Sequence, residues 1–205
     1  MPPTALRVRK RVWTDVARII STVCNPFLTS LALFVILAGA GSKSTNDFLV
    51  LLCNSAFFTS IAPMLFIFYL YATDRISDLD MSIRVERERV FIAFVIFYAL
   101  GAFDLWLIHA PAIMTASMAG YAASALIVQW ITRYWKISTH ALGVTAPLVA
   151  LTVLFGERPL PFYALIPLVG WSRVYLRAHT LLQVVAGTAL ALGTTLVFFR
   201  VFHIV

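Results

Sequence analysis

Apolar residues occur in long segments along this chain, and short polar segments separate them. Most of the apolar segments approach the roughly 20 residues that a helix needs to cross a hydrocarbon layer. The pattern therefore predicts an all-α, polytopic integral membrane bundle of six or seven transmembrane helices. The predicted spans are Ile19–Ala40, Phe48–Ala72, Val90–Ile108, Pro111–Ile131, His140–Phe155, Leu160–Tyr175 and Thr180–Val205.

The composition agrees with a membrane protein. Hydrophobic residues make up 61% of the chain and charged residues 12%, whereas soluble domains carry about 25% charged residues. The length suits one domain, so we expect residues 1–205 to form a single unit. The net charge of +7 is better explained by the cytoplasmic edge of a membrane than by nucleic acid. We therefore expect membrane lipids as partners and no nucleic acid.

The distribution of Lys and Arg predicts the orientation. If all seven segments cross, the N-terminus, the polar segments Thr73–Arg89 and Thr132–Thr139, and the junction near His179 lie on one side. That side carries most of the basic residues, so the positive-inside rule places it in the cytoplasm. We expect the plasma (inner) membrane of a prokaryote, with the N-terminus cytoplasmic. The opposite side carries Lys43, Arg158 and Arg200.

The most chemically suggestive segment is Trp171–Gln183, which places two arginines, a serine and a histidine between two apolar segments. On a helix, His179 and Gln183 would share one face. The Gln183 amide oxygen would then hold one imidazole nitrogen and leave the other for nucleophilic or general-base work. Arg173 and Arg177 suit a phosphate. A basic membrane-edge segment with snorkelling side chains is an open alternative.

Two further polar segments lie on the same predicted side. One contains Lys136, Ser138 and His140, where a helix starting near Ser138 would present backbone N–H groups to an anion. The other contains Arg84 and Arg87, which lie about one turn apart if helical. These two arginines are equally well explained as ordinary positive-inside charges. Neither segment has the His, Cys or carboxylate spacing of a metal site, so we expect no metal and no cofactor.

Together these residues resemble a known family. Ser172-Arg173, five residues and then His179 resemble the third signature of the type 2 phosphatidic acid phosphatase superfamily. The sequence Lys136-Ile-Ser-Thr-His140 resembles the second signature, which is usually Pro-Ser-Gly-His. The resemblance covers mainly residues 136–183, with helices on either side.

The resemblance implies a function and roles for individual residues. By analogy, His179 attacks phosphorus and becomes a phosphohistidine, and His140 protonates the leaving oxygen. Arg173 and Ser138 match residues that bind phosphate or assist its binding, and Lys136, Arg84 and Arg87 would add positive charge. The expected activity is metal-independent hydrolysis of a membrane lipid phosphate, such as phosphatidic acid, or of an isoprenoid diphosphate.

The chain also departs from the family pattern. Gln183 stands where the family usually has an aspartate, and the second signature lacks its Pro and Gly. The first signature, Lys with six residues before Arg-Pro, is missing, and we expect Arg84 and Arg87 to substitute for it. A second hypothesis is therefore a catalytically weak or inactive relative that serves as an accessory or structural subunit of a larger membrane complex.

Overall fold

The computed structural model describes residues 3–79 and 83–205, with the side chains of residues 3–10 and of Arg84 outside the description. The described residues form an all-helical bundle without strands. A π-helical turn at Phe57–Ile61 joins α3 to α4, and a 3₁₀ turn at Leu160–Ala164 leads into α8. The helices are α1 Pro3–Val23, α2 Pro26–Gly41, α3 Thr45–Ala56, α4 Ala62–Ala72, α5 Arg84–Leu107, α6 Ala112–Thr132, α7 Thr139–Phe155, α8 Leu165–Tyr175 and α9 Leu181–Val201.

Polar side chains cap the first turns of several helices. Asn25 accepts from the N–H of Phe27 at the start of α2, and Ser44 accepts from Asp47 at the start of α3. Ser138 caps α7 in the same way, at the helix start that the sequence predicted. Each cap satisfies an N–H group that has no partner within the helix.

Within the described residues, four helical segments are long and apolar enough to cross a membrane, and a fifth span results if a bent helix pair is counted as one. The all-α membrane bundle is therefore confirmed, whereas the count of six or seven spans is not. The two predicted spans that fall short of the test are α7 and the segment that contains α8. The four segments are Thr45–Ala72, Val85–Leu107, Ala112–Thr132 and Leu181–Val201.

The first predicted span, Ile19–Ala40, is divided between α1 and α2. The axes of the two helices differ by 45°, and the break falls between Val23 and Pro26. Pro26 has no N–H to donate and is tolerated at the first position of a new helix, where Asn25 provides the cap. Because of this break, α1 lies against α8. The rings of Trp13 and Trp171 pack edge-to-face there, with 5.9 Å between their centroids.

Helix α7 lies at the centre of the bundle and contacts α2, α8 and α9. Nearly every residue from His140 to Ala150 is buried, so protein rather than lipid surrounds this helix. Two glycines allow its close packing. A Cβ atom at Gly143 would lie 2.8 Å from Pro26 Cα, and one at Gly187 would lie 2.4 Å from the Ser138 carbonyl oxygen.

The Gly187 contact generates a stability prediction. Gly187→Ala should force α9 away from the first turn of α7 and lower the free energy of unfolding by about 1–3 kcal/mol, as overpacking does. Gly193→Ala on the same helix is the matched control, because nothing lies within 4 Å of its added Cβ. That control should be neutral or stabilising by up to about 1 kcal/mol. Thermal unfolding in detergent measures both, and equal stabilities would contradict the close approach.

Candidate active site

The turn after α8 carries His179 back to Arg173. Arg177 adopts a left-handed conformation with φ of 56°, which ends the helix and reverses the chain. The Arg173 carbonyl oxygen then accepts from the N–H groups of Ala178 at 3.0 Å and His179 at 3.3 Å. This turn explains why five residues separate Arg173 from His179. The Arg177 side chain is exposed, so its interpretation as a phosphate ligand is not supported.

His179 and Gln183 form the predicted hydrogen bond, with 3.1 Å between Nδ1 and Oε1. The expectation that both residues lie on one helix was wrong. His179 precedes α9, and Thr180 is the N-cap of that helix. Thr180 and Gln183 instead form a capping box, in which Gln183 reaches back to the Thr180 N–H at 3.1 Å. An amide oxygen can only accept, so Nδ1 carries the proton and Nε2 keeps its lone pair.

The first turns of α7 and α9 meet at this point. The Ser138 N–H donates to the Gln183 carbonyl oxygen at 3.1 Å, and the fully buried Ser138 hydroxyl accepts from Ala141 at 3.4 Å. Helix N-termini carry positive partial charge. Two of them therefore add to the positive potential around His179.

Two buried arginines line the same region. Arg173 donates through Nη1 to the Ser21 hydroxyl on α1 at 2.6 Å, and its exposure is only 6%. Arg87 on α5 donates through Nη2 to the Ile137 carbonyl oxygen at 2.8 Å, and its exposure is 3%. Guanidinium groups held in this way present a fixed set of donors for phosphate oxygens.

His140 lies beside these groups in the first turn of α7. The residue is 7% exposed, and its ring interacts electrostatically with Arg173, His179 and Arg87 and also faces the backbone of Ser21. The two histidines therefore belong to one cluster, although 38 residues and two helices separate them along the chain.

Burial is the main reason why the pKa of His179 lies below its ordinary value. The positive charges of Arg87, Lys136 and Arg173 lower the pKa further, while the hydrogen bond to Gln183 acts in the opposite direction. Burial and nearby cations both disfavour the charged imidazolium. At neutral pH the ring is therefore neutral, which is the form that has a lone pair to donate.

With the exception of Arg177, the structure brings together the predicted site residues whose side chains it describes. Lys136 is half-buried and acts on His179 electrostatically. Arg84 begins α5, but its side chain lies outside the described part of the structure. The gathered residues are His179, His140, Gln183, Arg173, Lys136, Ser138 and Arg87.

Sequence reasoning missed Ser21. This serine lies 152 residues before Arg173, in a helix that carries no family motif. No local pattern marks it, since the contact depends on how α1 turns back against α8. Among the described residues, no group of three or more His, Cys, Asp and Glu side chains lies close enough to hold a metal ion.

Residues 129–204 match the family model described as PAP2 superfamily. The matched segment contains α7, α8 and α9 and both site histidines. The match supports membership of the type 2 phosphatidic acid phosphatase superfamily, as the motifs predicted, and together with the apolar helices it supports an integral membrane protein. No curated protein and no solved structure matches the chain. Ser21 and Arg87 lie outside the matched segment, so α1 and α5 add to the site from elsewhere in the chain.

The Arg173–Ser21 contact generates a prediction about anion binding. Ser21→Ala should weaken binding of inorganic phosphate or vanadate about threefold to thirtyfold, because Arg173 loses a hydrogen-bond partner that fixes its orientation. Ser117→Ala is the control, since the buried Ser117 hydroxyl has no partner in the described structure. Isothermal titration calorimetry measures both variants. The same affinity in both would contradict a positioning role for Ser21.

Proposed function

We propose that this protein is a membrane lipid phosphate or diphosphate phosphatase that acts through a phosphohistidine at the cytoplasmic membrane surface. The observation that carries the proposal is the state of His179. Its Nδ1 is held by Gln183, its ring is neutral, and the buried Arg173 lies beside it. Nε2 is then the ring nitrogen that attacks phosphorus, while the arginines bind the phosphate oxygens.

The first half of the reaction transfers the phosphoryl group to His179. The lone pair of Nε2 forms a bond to phosphorus, and the phosphorus–oxygen bond to the lipid alcohol breaks. The departing oxygen takes a proton from His140 and leaves as a neutral alcohol or, from a diphosphate, as a phosphate monoester. Arg173 and Arg87 stabilise the negative charge on the non-bridging oxygens.

The protonation of His140 depends on the substrate. Burial disfavours an imidazolium at His140 in the empty site, and the positive charges of Arg173 and Arg87 disfavour it further. A bound phosphate dianion offsets those positive charges and favours the protonated ring. His140 therefore becomes an effective proton donor when the group that needs the proton has bound.

The second half returns the enzyme to its starting state. His140, now neutral, takes a proton from water, and the resulting nucleophile attacks the phosphohistidine. The phosphorus–nitrogen bond breaks, phosphate leaves, and the electron pair returns to Nε2. The arginines carry the charge stabilisation throughout, so the proposed reaction is metal-independent and needs no cofactor.

A specific observation supports a second candidate function. Gln183 is a neutral partner for His179, whereas a carboxylate at this position would offset the charge of the imidazolium. By analogy with catalytic triads, loss of such a carboxylate costs up to about 10⁴-fold in rate. The alternative is therefore an inactive, phosphatase-like accessory or structural subunit of a larger membrane complex.

We also propose how the protein lies in its membrane. If the bent pair of α1 and α2 is one span, the described residues hold five candidate spans, and α7 and the segment that contains α8 would add a sixth and a seventh. The N-terminus, the loop before α5 and the active site then lie on the cytoplasmic side of a prokaryotic plasma (inner) membrane. The support is the excess of Lys and Arg on that side.

Thiol labelling tests this orientation. In a background with Cys53→Ala, which removes the exposed native thiol, Lys43→Cys should react with an impermeant maleimide in intact cells. Arg75→Cys should react only after the cells are permeabilised, because it lies in the proposed cytoplasmic loop. Both positions are exposed, so access to the side chain does not bias the comparison. The reverse labelling pattern would overturn the orientation.

Single substitutions test the proposed chemistry. With ³²P-labelled lipid phosphates and a chelator present, His179→Ala should abolish phosphate release and the acid-labile phosphoenzyme. His140→Ala should slow release about 10²–10⁴-fold, because the leaving oxygen loses its proton donor. Arg173→Lys should reduce turnover strongly because lysine lacks the bidentate fork. The exposed Arg158→Lys and His203→Ala are matched controls that should retain wild-type rates.

Gln183→Asp separates the two candidate functions. In a slow phosphatase the carboxylate should stabilise the imidazolium and raise the rate, and in a site tuned to glutamine it should lower the rate. If the wild type and all variants neither bind nor hydrolyse any lipid phosphate, the phosphatase proposal fails. Co-purification with other membrane proteins in a fixed ratio would then support the accessory role.

A further inference from the structure

Helix α1 has one face that packs on the bundle and a second, apolar face that does not. Ala17 and Ser21 are buried on the first face, where α1 contacts α8. Val12, Ile19 and Val23 are between 53% and 63% exposed. Their spacings of seven and four residues place these three side chains on one stripe of the helix. α1 therefore presents an apolar stripe away from the bundle.

The same helix carries a concentrated positive charge. Arg11 and Arg18 are both exposed, and their spacing of seven residues places them on a common stripe. Arg18 pairs with Asp15 at 3.8 Å, but both side chains are more than half exposed and such pairs are weak. Asp15 is the one acidic residue in the sequence of α1, so positive charge remains in excess. The basic residues in that sequence are Arg7, Arg9, Lys10, Arg11 and Arg18.

The position of α1 in the fold places this charge at a membrane surface. Helix α1 ends at Val23, and the apolar helix α2 begins at Pro26 and completes the bent candidate span. The apolar stripe therefore runs toward the hydrocarbon layer, whereas most of the basic residues lie near the other end of the helix. Trp13 lies between these two regions, and tryptophan is typical of the boundary between headgroups and hydrocarbon.

Charge and apolar surface together indicate the class of ligand. Basic residues beside an exposed apolar stripe are typical of helices that bind anionic lipid at a bilayer surface. Nucleic acid would supply phosphate but no apolar surface to cover Val12, Ile19 and Val23. A bilayer that contains anionic phospholipid supplies both, and each basic residue near such a surface strengthens binding about fivefold. In the proposed orientation, the cytoplasmic leaflet provides this surface.

The packed face of α1 reaches the active site. The Ser21 hydroxyl accepts a hydrogen bond from Arg173, and the ring of His140 faces the Ser21 backbone. Ser21 follows the exposed Arg18 by three residues, which is less than one helical turn. The packing of α1 on the rest of the bundle is mainly its contact with α8. An interaction that holds α1 against α8 therefore also holds Ser21 against Arg173.

We propose that α1 binds anionic phospholipid headgroups and that this binding keeps Ser21 in contact with Arg173. The anionic lipid content of the membrane then regulates the affinity of the active site for phosphate. This coupling rests on the proposed function, whereas the lipid binding does not. Linkage makes the effect reciprocal, so bound phosphate also raises the affinity of α1 for the lipid.

Spin-labelled lipids test the binding site without turnover. In phosphatidylcholine vesicles, electron paramagnetic resonance should show that wild-type protein selects spin-labelled phosphatidylglycerol over spin-labelled phosphatidylcholine. Arg11→Gln combined with Arg18→Gln should reduce this selectivity about fivefold or more, and high salt should also reduce it by screening. Arg75→Gln combined with Arg89→Gln is the matched control, because both side chains are exposed and lie on the same proposed side. Equal losses in the two double variants would mean that total charge, and not α1, sets the selectivity, and the inference would fail.

Vanadate binding tests the coupling. The affinity of the wild type, measured by calorimetry, should rise about fivefold or more when phosphatidylcholine nanodiscs are replaced by nanodiscs that also contain phosphatidylglycerol. Surface charge alone predicts the opposite result, because an anionic bilayer repels vanadate. Ser21→Ala should abolish the rise, whereas Ser117→Ala should keep it. A fall in wild-type affinity, or a rise that persists in Ser21→Ala, would contradict the coupling.

The two experiments separate this inference from the proposed function. If the wild type selects phosphatidylglycerol through α1 but binds no vanadate in either membrane, the proposed function and the coupling fail while the lipid site stands. If vanadate binds but the substitutions at Arg11 and Arg18 leave the selectivity unchanged, the inference fails while the proposed function stands. Both arginines are exposed, so these substitutions leave the packing of the bundle intact.

Discussion

The site depends on one contact, the meeting of the first turns of α7 and α9. The Ser138 N–H donates to the Gln183 carbonyl oxygen, and Gly187 lets α9 approach the Ser138 carbonyl group closely. The same turn of α9 holds His179 through the Gln183 side chain. The backbone of Gln183 therefore fixes α7 while its side chain fixes the imidazole. A shift of α9 would change the position of both histidines relative to each other.

Around this contact, the bundle stabilises two buried positive charges. Arg173 and Arg87 are almost fully buried, and a buried charge is costly unless hydrogen bonds satisfy it. Two hydrogen bonds offset part of this cost. Arg173 donates to a serine hydroxyl on α1, and Arg87 donates to a carbonyl group in the segment before α7. The resulting region is strongly positive and mostly closed to water. A phosphate bound there, as we propose, would exchange its hydration shell for fixed donors.

Sequence patterns predicted the parts of this molecule that depend on local chemistry. The apolar segments predicted the helices of the bundle, and Ser138 predicted the start of α7 because a helix cap needs only its own next turn. The family motifs identified the segment that carries His140, Arg173 and His179. Arg87 was predicted from its charge and its place in a polar segment on the same predicted side, and it lies in the cluster. These predictions all use residues that lie close together in sequence or form a known motif.

Features that depend on tertiary packing were not predictable in this way. The break between α1 and α2 sends α1 back across α8, and Ser21 reaches Arg173 only as a result.

That contact has a consequence for biosynthesis. Arg173 is synthesised 152 residues after Ser21, so α1 can form this contact only after α8 has been made. An incomplete chain that stops before α8 would contain His140 and Arg87 but no complete pair of histidines. The cluster of side chains therefore assembles only when synthesis has passed the second histidine.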